Sequence, residues 1–156
     1  MNGYLRCLVS GAAGALTLTA LHELVRRRVD YAPRMDLVAT RGLRQLLPDE
    51  AVTRLGLPGL RRLALIGDLV SNSLYFAAIP ARTPAATWRR AMTLGAAAGA
   101  GALALPEPMG LGSPPNSDVR ANQVMTLAWY LGGAIAAGAV ANLFAGAGRQ
   151  QTDSRV

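Results

Sequence analysis

The chain has 156 residues, half of them hydrophobic, and sixteen basic residues, all arginine, outnumber nine acids to give a net charge of +7. Nine arginines and four acids fall within residues 26–62, which therefore hold +5 of the total. Charge segregated in this way is typical of a segment beside a membrane rather than a nucleic-acid-binding surface, so no nucleic acid is expected as a partner. The single cysteine excludes an internal disulfide.

The apolar residues come in long runs, and the first run, residues 4–25, has about the 20 residues that cross the hydrocarbon of a bilayer. A cleaved signal peptide, cut after Ala20, is the alternative. Leu18 fits the small-residue pattern before such a cut poorly, and further spans follow. We therefore expect the first helix to remain in the protein.

The most polar stretch follows the first run. Within it, residues 34–47 have helical periodicity, with apolar residues on one face and arginines on the other. Such a helix is expected to lie in the headgroup plane, and an equal alternative is that it folds back and caps the bundle. Residues 49–55 predict a further short turn, because Asp49 and Glu50 favour a helix start and Gly56 a helix end.

Three more spans are predicted along the chain. The second comprises residues 61–80 and the third residues 88–105, and a proline limits each of them. The fourth, residues 122–145, precedes a polar tail, residues 149–156, that is expected to be flexible. The sequence thus predicts an all-α polytopic membrane protein, a bundle of four transmembrane helices with an interfacial amphipathic helix after the first, in one domain of residues 1–148.

Small residues recur at four-residue spacing on three of the predicted spans. Such rows let two helix backbones approach closely and gain packing contacts that lipid does not provide. The rows comprise Gly11 and Ala15, Gly95 and Gly99, and Ala134, Gly138 and Asn142. They predict tight helix packing, either within the chain or with a second copy of it in a homo-oligomer.

The predicted topology brings polar residues together near one membrane face. The first span ends where the arginine-rich loop begins and the second span starts where it ends, so those two ends share a side. Four crossings return the loop before the last span to the same side. The candidate polar cluster consists of His22, Glu23, Asp68, Asn72 and Asn122.

Asp68 is the most informative member of this cluster. It lies four residues before Asn72 on one helix face, and an ionised carboxylate at membrane depth is costly unless it is paired. His22, Arg61 and Arg62 are the candidate partners. Either the cluster locks the helix packing, or it forms a pocket for a proton, a cation or a headgroup.

The arginines beside the first span and on the amphipathic helix are expected to contact anionic lipid headgroups. They are Arg26, Arg27, Arg28, Arg41 and Arg44. His22 and Glu23 begin the zinc-protease pattern H-E-x-x-H, but the second histidine is replaced by Arg26. We therefore predict no catalytic residue, no metal site and no cofactor.

Two segments carry a resemblance to a known family. "YAPRMD" (residues 31–36) and "GLGSPPNSD" leading into "NQVMTLAWYLGG" (residues 110–133) resemble the small bacterial inner-membrane proteins of the YagU type, over about a third of the chain. The resemblance implies a short helical bundle in the inner membrane with a proline-rich turn before the last span. An acid and a histidine are expected where that span begins, and this chain has Asn122 and Gln123 instead. The family has no settled activity, so no functional residue is carried over.

These features predict a multi-pass membrane protein that is not an enzyme. A small transport component or a membrane assembly partner is expected, with the polar cluster as its working part. The alternative is a membrane-embedded enzyme acting on lipid headgroups, with Glu23 or Asp68 as the base and arginines holding the phosphate.

Overall fold

The computed structural model describes residues 3–29, 32–113, 115 and 118–153, with side chains of the last helix described as far as residue 146. These residues form helices and their connections without strands, which confirms the all-α prediction. The helices are α1 (Gly3–Arg26), α2 (Met35–Leu46), α3 (Asp49–Phe76), α4 (Pro84–Ala104) and α5 (Arg120–Asp153). Tyr31 and residues 114, 116 and 117, which belong to the segments quoted for the family resemblance, lie outside the described residues, as do residues 154–156 of the predicted tail.

Helices α1 and α2 lie within a residue or so of their predicted bounds. The buried residues of α1 include Gly11, Gly14 and Leu18, a spacing that places them on one helical face. In α2 the backbone N–H of Leu47 donates to the Leu43 carbonyl, and Leu47 is already extended, which ends the helix before Pro48.

Helix α3 is longer than the predicted second span because the predicted short turn joins it. The two parts meet at Gly56, whose φ of 58° and ψ of −179° are non-helical and require a residue without a Cβ. Pro58 falls in the first turn of the second part, where a missing backbone N–H costs little. The predicted start at residue 61 is therefore wrong by about one turn, and the kink at Gly56 confirms the predicted end of the short turn.

Helix α4 begins at Pro84, earlier than the predicted residue 88. Thr83 caps it, with its Oγ1 accepting from the Ala86 backbone N–H at 3.2 Å, and Pro84 occupies the first turn. Helix α5 likewise extends beyond the predicted residues 122–145, and residues 149–153 of the predicted tail continue it as helix.

The bundle is built around α5, which packs between α1 and α4. Helix α1 also packs against α3, and α3 carries α2 on its outer side, whereas α3 and α4 scarcely touch. Consecutive long helices run antiparallel. We call the end of the bundle that carries α2 and residues 105–113 the α2 end, and the end with the start of α1 and residues 77–83 the far end.

Glycines set the helix separations, both in the predicted small-residue rows and at Gly14 and Gly133, which those rows did not include. A Cβ on Gly14 would lie 2.8 Å from the Gly133 carbonyl oxygen, and a Cβ on Gly133 would lie 2.8 Å from the Gly14 carbonyl oxygen, so α1 and α5 cross backbone to backbone. Gly95 packs in the same way against Ala134, which joins α4 to α5. The rows are thus used for packing inside the chain.

Two helices are long and apolar enough to cross a membrane, α1 and the Arg120–Gly146 part of α5, where four spans were predicted. Helix α3 falls short because it carries Arg61, Arg62 and Asp68, and α4 because Arg89 and Arg90 lower its mean hydropathy.

We expect Gly11→Ala to destabilise the protein and Gly67→Ala to leave it intact. The Cβ on Gly11 would fall on the Ser73 backbone carbonyl oxygen of α3, and overpacking of this kind costs about 1–3 kcal/mol. Nothing lies within 4 Å of a Cβ on Gly67, so alanine there should add about 0.5–1 kcal/mol of helix stability. Reversible unfolding in detergent measures both, and equal stability of the two variants would contradict the close α1–α3 crossing.

Candidate functional site

His22 lies in the last turns of α1, at the α2 end. Its Nε2 is 3.0 Å from the Pro33 carbonyl oxygen, in the connection that leads into α2. Its ring packs against Trp129 of α5, with the ring centroids 5.0 Å apart and the planes tilted by 49°. His22 therefore touches both the chain entering α2 and the central helix, and its nitrogen is bonded to backbone rather than to Asp68.

Asp68 lies on the face of α3 that turns towards α1 and α2, and its neighbour one turn on is Asn72. The Asn72 side-chain amide donates to Asp68 Oδ1 at 2.9 Å and to the Asp68 backbone carbonyl at 3.0 Å. Asn72 is buried. The two residues thus share one helix face, as their spacing indicated, and Asn72 is a partner of Asp68 beyond the predicted candidates His22, Arg61 and Arg62.

His22 and Asp68 line the same two cavities, although no hydrogen bond joins them directly among the described residues. One cavity, of about 70 Å³, lies under α2 and is also lined by Met35, Asp36 and Arg61. It brings one imidazole, two carboxyl groups and one guanidinium to the same small space. The predicted partners His22 and Arg61 are thus both beside Asp68.

The second cavity, of about 30 Å³, lies deeper, between α1, α3 and α5. Besides His22 and Asp68 it is lined by Thr19, Thr126 and Tyr130. The Thr19 hydroxyl is buried and has no hydrogen-bond partner among the described residues. A volume of about 10–15 Å³ suffices for one water molecule, so this cavity has the size and the polar lining of a hydration site.

Two members of the predicted cluster lie elsewhere. Glu23 faces outward, 39% exposed, and is bound by Arg26 and Arg27 at 2.8 and 2.9 Å, because its position in α1 turns it away from α3. Asn122 is buried near the start of α5, where its backbone carbonyl accepts from Thr126 Oγ1 at 2.9 Å, but it lines neither cavity.

Asp36 is a site residue that the sequence analysis missed. It lines the 70 Å³ cavity and forms a bidentate ion pair with Arg34, with both distances 2.9 Å. The Arg34 guanidinium holds the pKa of the Asp36 carboxyl below its usual range, and partial burial opposes this shift. In the sequence, Asp36 is marked only by its position in the first turn of the amphipathic helix. It comes close to Asp68 because α2 folds back and packs on α3.

The arginines predicted to contact headgroups fall into two groups. Arg26, Arg27 and Arg28 are exposed at the end of α1, the first two paired with Glu23. Arg44 is exposed on α2, while Arg41 donates to the carbonyls of Leu111 and Ser113, at 3.1 and 3.3 Å. Gln45 adds a hydrogen bond of 2.9 Å to the Gly110 carbonyl. Hydrogen bonds thus hold helix α2 across the end of the bundle, as expected from the alternative in which it folds back and caps the bundle.

A larger groove opens between α3 and α4, where the two helices are apart. It has a volume of about 440 Å³, and its lining is mostly apolar, with four small residues of α4, namely Ala97, Ala98, Gly101 and Ala102. Asn72 and Tyr130 also line it, so the groove adjoins the polar cavities from the other side of α3. A hydrogen bond of 3.0 Å from the Tyr75 hydroxyl to the Leu94 carbonyl joins α3 to α4 beside it.

No protein-family model, no curated protein and no solved structure matches this chain. The YagU-type resemblance therefore stays a prediction. The described residues contain no group of three or more His, Cys, Asp or Glu side chains placed to hold a metal ion. The chemistry that the cavities offer is proton exchange and hydrogen bonding, from one histidine, two carboxyl groups and three hydroxyls.

We expect His22 and Asp68 to be coupled weakly, through the shared cavities. Polar pairs in membrane proteins couple by ~0.6 kcal/mol on average. A double-mutant cycle of His22→Gln and Asp68→Asn, read by reversible unfolding, measures this energy. His22→Gln combined with Asp49→Asn is the control, since Asp49 is exposed at the start of α3, and it should be additive. If the losses of stability in His22→Gln and Asp68→Asn simply add, the two residues are not energetically coupled.

The Asp36–Arg34 ion pair predicts a pH-dependent stability. A carboxyl whose pKa is lower in the folded state stabilises the fold above its unfolded pKa of about 3.9, and this contribution is lost as the pH falls through the folded pKa. Asp36→Asn should therefore be less stable than the natural protein at pH 7, with the two converging in acid. The stability of Arg34→Gln should likewise approach that of the natural protein in acid. If the stability difference between variant and natural protein does not change with pH, the ion pair is not its cause.

Proposed function

We propose that the protein is an integral membrane protein of four spans, α1, the second part of α3, α4 and α5. The observation that supports this is the distribution of side chains across the bundle. Residues with little or no exposure include Ser10, Thr87 and Thr126, whereas Ile66, Leu74 and Leu143 are 58, 63 and 73% exposed. Soluble proteins rarely expose large apolar patches, and membrane bundles pack small and polar residues inside.

The lengths of α3 and α4 are compatible with crossing. The part of α3 after Gly56, residues 57–76, and α4, with 21 residues, each extend for about 30 Å, the thickness of the hydrocarbon core. Arg61 and Arg62 lie in the first turns of the former, and Arg89 and Arg90 in the first two turns of the latter. Side chains as long as these reach the headgroups from near a helix end.

Within the membrane we propose a non-enzymatic role as an assembly subunit, whose α3–α4 groove receives a helix of a second copy. The groove is larger than the two polar cavities that it adjoins, and the small residues of α4 along it, Ala97 and Gly101 one turn apart, favour close helix approach. The small-residue rows on α1 and α5 are already buried within the chain, whereas this one is open.

A proton- or cation-handling role is the second candidate. It is supported by the two cavities that both have His22 and Asp68 in their lining and whose volumes suit water rather than a larger solute. The enzyme alternative has less support, because the cavity that holds the candidate base Asp68 is far below the ~300–1,000 Å³ of sites that bury an organic ligand, and Glu23 is engaged by two arginines outside it.

Membrane insertion predicts that Ile66→Arg is severely disruptive. Ile66 is exposed at the middle of the proposed span, where arginine costs about 2.5–3.5 kcal/mol in lipid, although it would be harmless on a soluble surface. Thr53→Arg is the matched control, because Thr53 is exposed on α3 before the Gly56 kink. The measurement is the fraction of protein that resists extraction by alkaline carbonate. Complete release of the natural protein, or equal behaviour of the two variants, would refute the proposed spans.

The assembly role predicts contact between copies along the groove. In a Cys7→Ser background, Ala97→Cys should form disulfide-linked dimers on oxidation in native membranes, because Ala97 is exposed and lines the groove. Ala96→Cys is the control, being equally exposed on α4 but outside the groove. Equal cross-linking at both positions, or none at either, would argue against this docking surface and leave the membrane topology untouched.

A further inference from the structure

The far end of the bundle carries a second concave surface, away from the polar cluster. It has a volume of about 510 Å³ and lies between the first turns of α1, the α3–α4 connection and α4. Its charged lining consists of Arg6, Arg82 and Arg90, from three separate segments. We call it the far-end cavity. Its volume is within the range of sites that bury small ligands.

Two of the three arginines are held in place by backbone carbonyls. Arg6 donates from Nε to the Ala141 carbonyl at 3.0 Å and from Nη2 to the Ala81 carbonyl at 3.1 Å. Arg90 donates from Nη1 to the carbonyls of Pro80 and Ala78, at 3.1 and 3.4 Å. A guanidinium has five N–H donors, so each keeps donors for another acceptor. The orientation of these two charges is therefore set before any ligand arrives.

The positive charge of this cavity is not neutralised locally. None of the acidic side chains that the structure describes lines it, and its three arginines form no ion pair with a described carboxylate. The first turn of α1, with Gly3 and Tyr4, lines it as well, so the positive end of the α1 dipole adds to the field. The α2 end differs, because there Glu23 and Asp36 pair with arginines.

We propose that the far-end cavity binds a phosphate group, carried by an anionic phospholipid or free in solution. Three guanidiniums without a carboxylate form a recognition surface for the oxygens of phosphate, which guanidinium binds through paired hydrogen bonds. Arg82, exposed at the rim, donates no hydrogen bond to a described residue and is the arginine most available to the ligand. This site is independent of the proposed assembly groove and of the polar cavities.

The test is ligand-induced stabilisation of the full-length protein in a neutral detergent. The thermal unfolding midpoint is followed against dihexanoyl phosphatidylglycerol, dihexanoyl phosphatidylcholine and inorganic phosphate, each at constant ionic strength, which gives an apparent affinity. The phosphatidylglycerol should raise the midpoint and the zwitterionic lipid should not. Stabilisation by inorganic phosphate as well assigns the site to free phosphate, and stabilisation by the anionic lipid alone assigns it to a headgroup.

Arg82→Gln tests the arginine, with Arg89→Gln as the matched control. Arg89 is the neighbour of Arg90, is exposed and lies outside the cavity lining, so its loss changes net charge equally. Because a hydrogen bond between charged groups contributes substantially to affinity, Arg82→Gln should weaken binding about tenfold. Arg89→Gln should change it little. The midpoints without ligand show that both variants fold. No stabilisation by either anion, or equal weakening in both variants, would overturn the proposal.

Discussion

The fold depends on the direct contact of two backbones, where Gly14 of α1 meets Gly133 of α5. No side chain separates the helices there, so α1 comes close enough to pack on α3 from its other side, with Gly11 against the Ser73 carbonyl. Helix α5 is approached by α4 in the same way through Gly95. Because glycines fix the separations, little space is left between these helices, and many large aliphatic side chains turn outward and form an apolar surface.

The two ends of the bundle differ in the chemistry that this packing leaves available. At the α2 end, α2 lies across the helices and closes His22, Asp36 and Asp68 into cavities that admit water-sized molecules. At the far end none of the described helices lies across the bundle, and arginines oriented by backbone carbonyls line an open surface. The protein is thus asymmetric, with enclosed histidine and carboxyl side chains at one end and exposed positive charge at the other.

The sequence was sufficient to predict the helices themselves, because apolar runs, Gly56 and the prolines determine locally where a helix forms and where it ends. It misplaced the start of α4, where the Thr83 cap with Pro84 is a stronger signal than the apolar run behind it. It placed Asp68 and Asn72 on one helix face, since residues four apart on a helix are neighbours, but it did not name Asn72 as a partner of Asp68. It assigned Glu23 to the cluster and omitted Asp36. Which face of α1 turns towards α3, and whether α2 folds back onto α3, depend on contacts between helices that no local sequence pattern encodes.

The contact between His22 and Pro33 determines which form of the imidazole is present. A carbonyl oxygen only accepts, so the ring nitrogen 3.0 Å from it, Nε2, must carry a hydrogen. In the neutral ring the lone pair is then on Nδ1. Nδ1 is therefore the acceptor that the ring offers to its neighbours, while Nε2 anchors the ring to the backbone that leads into α2.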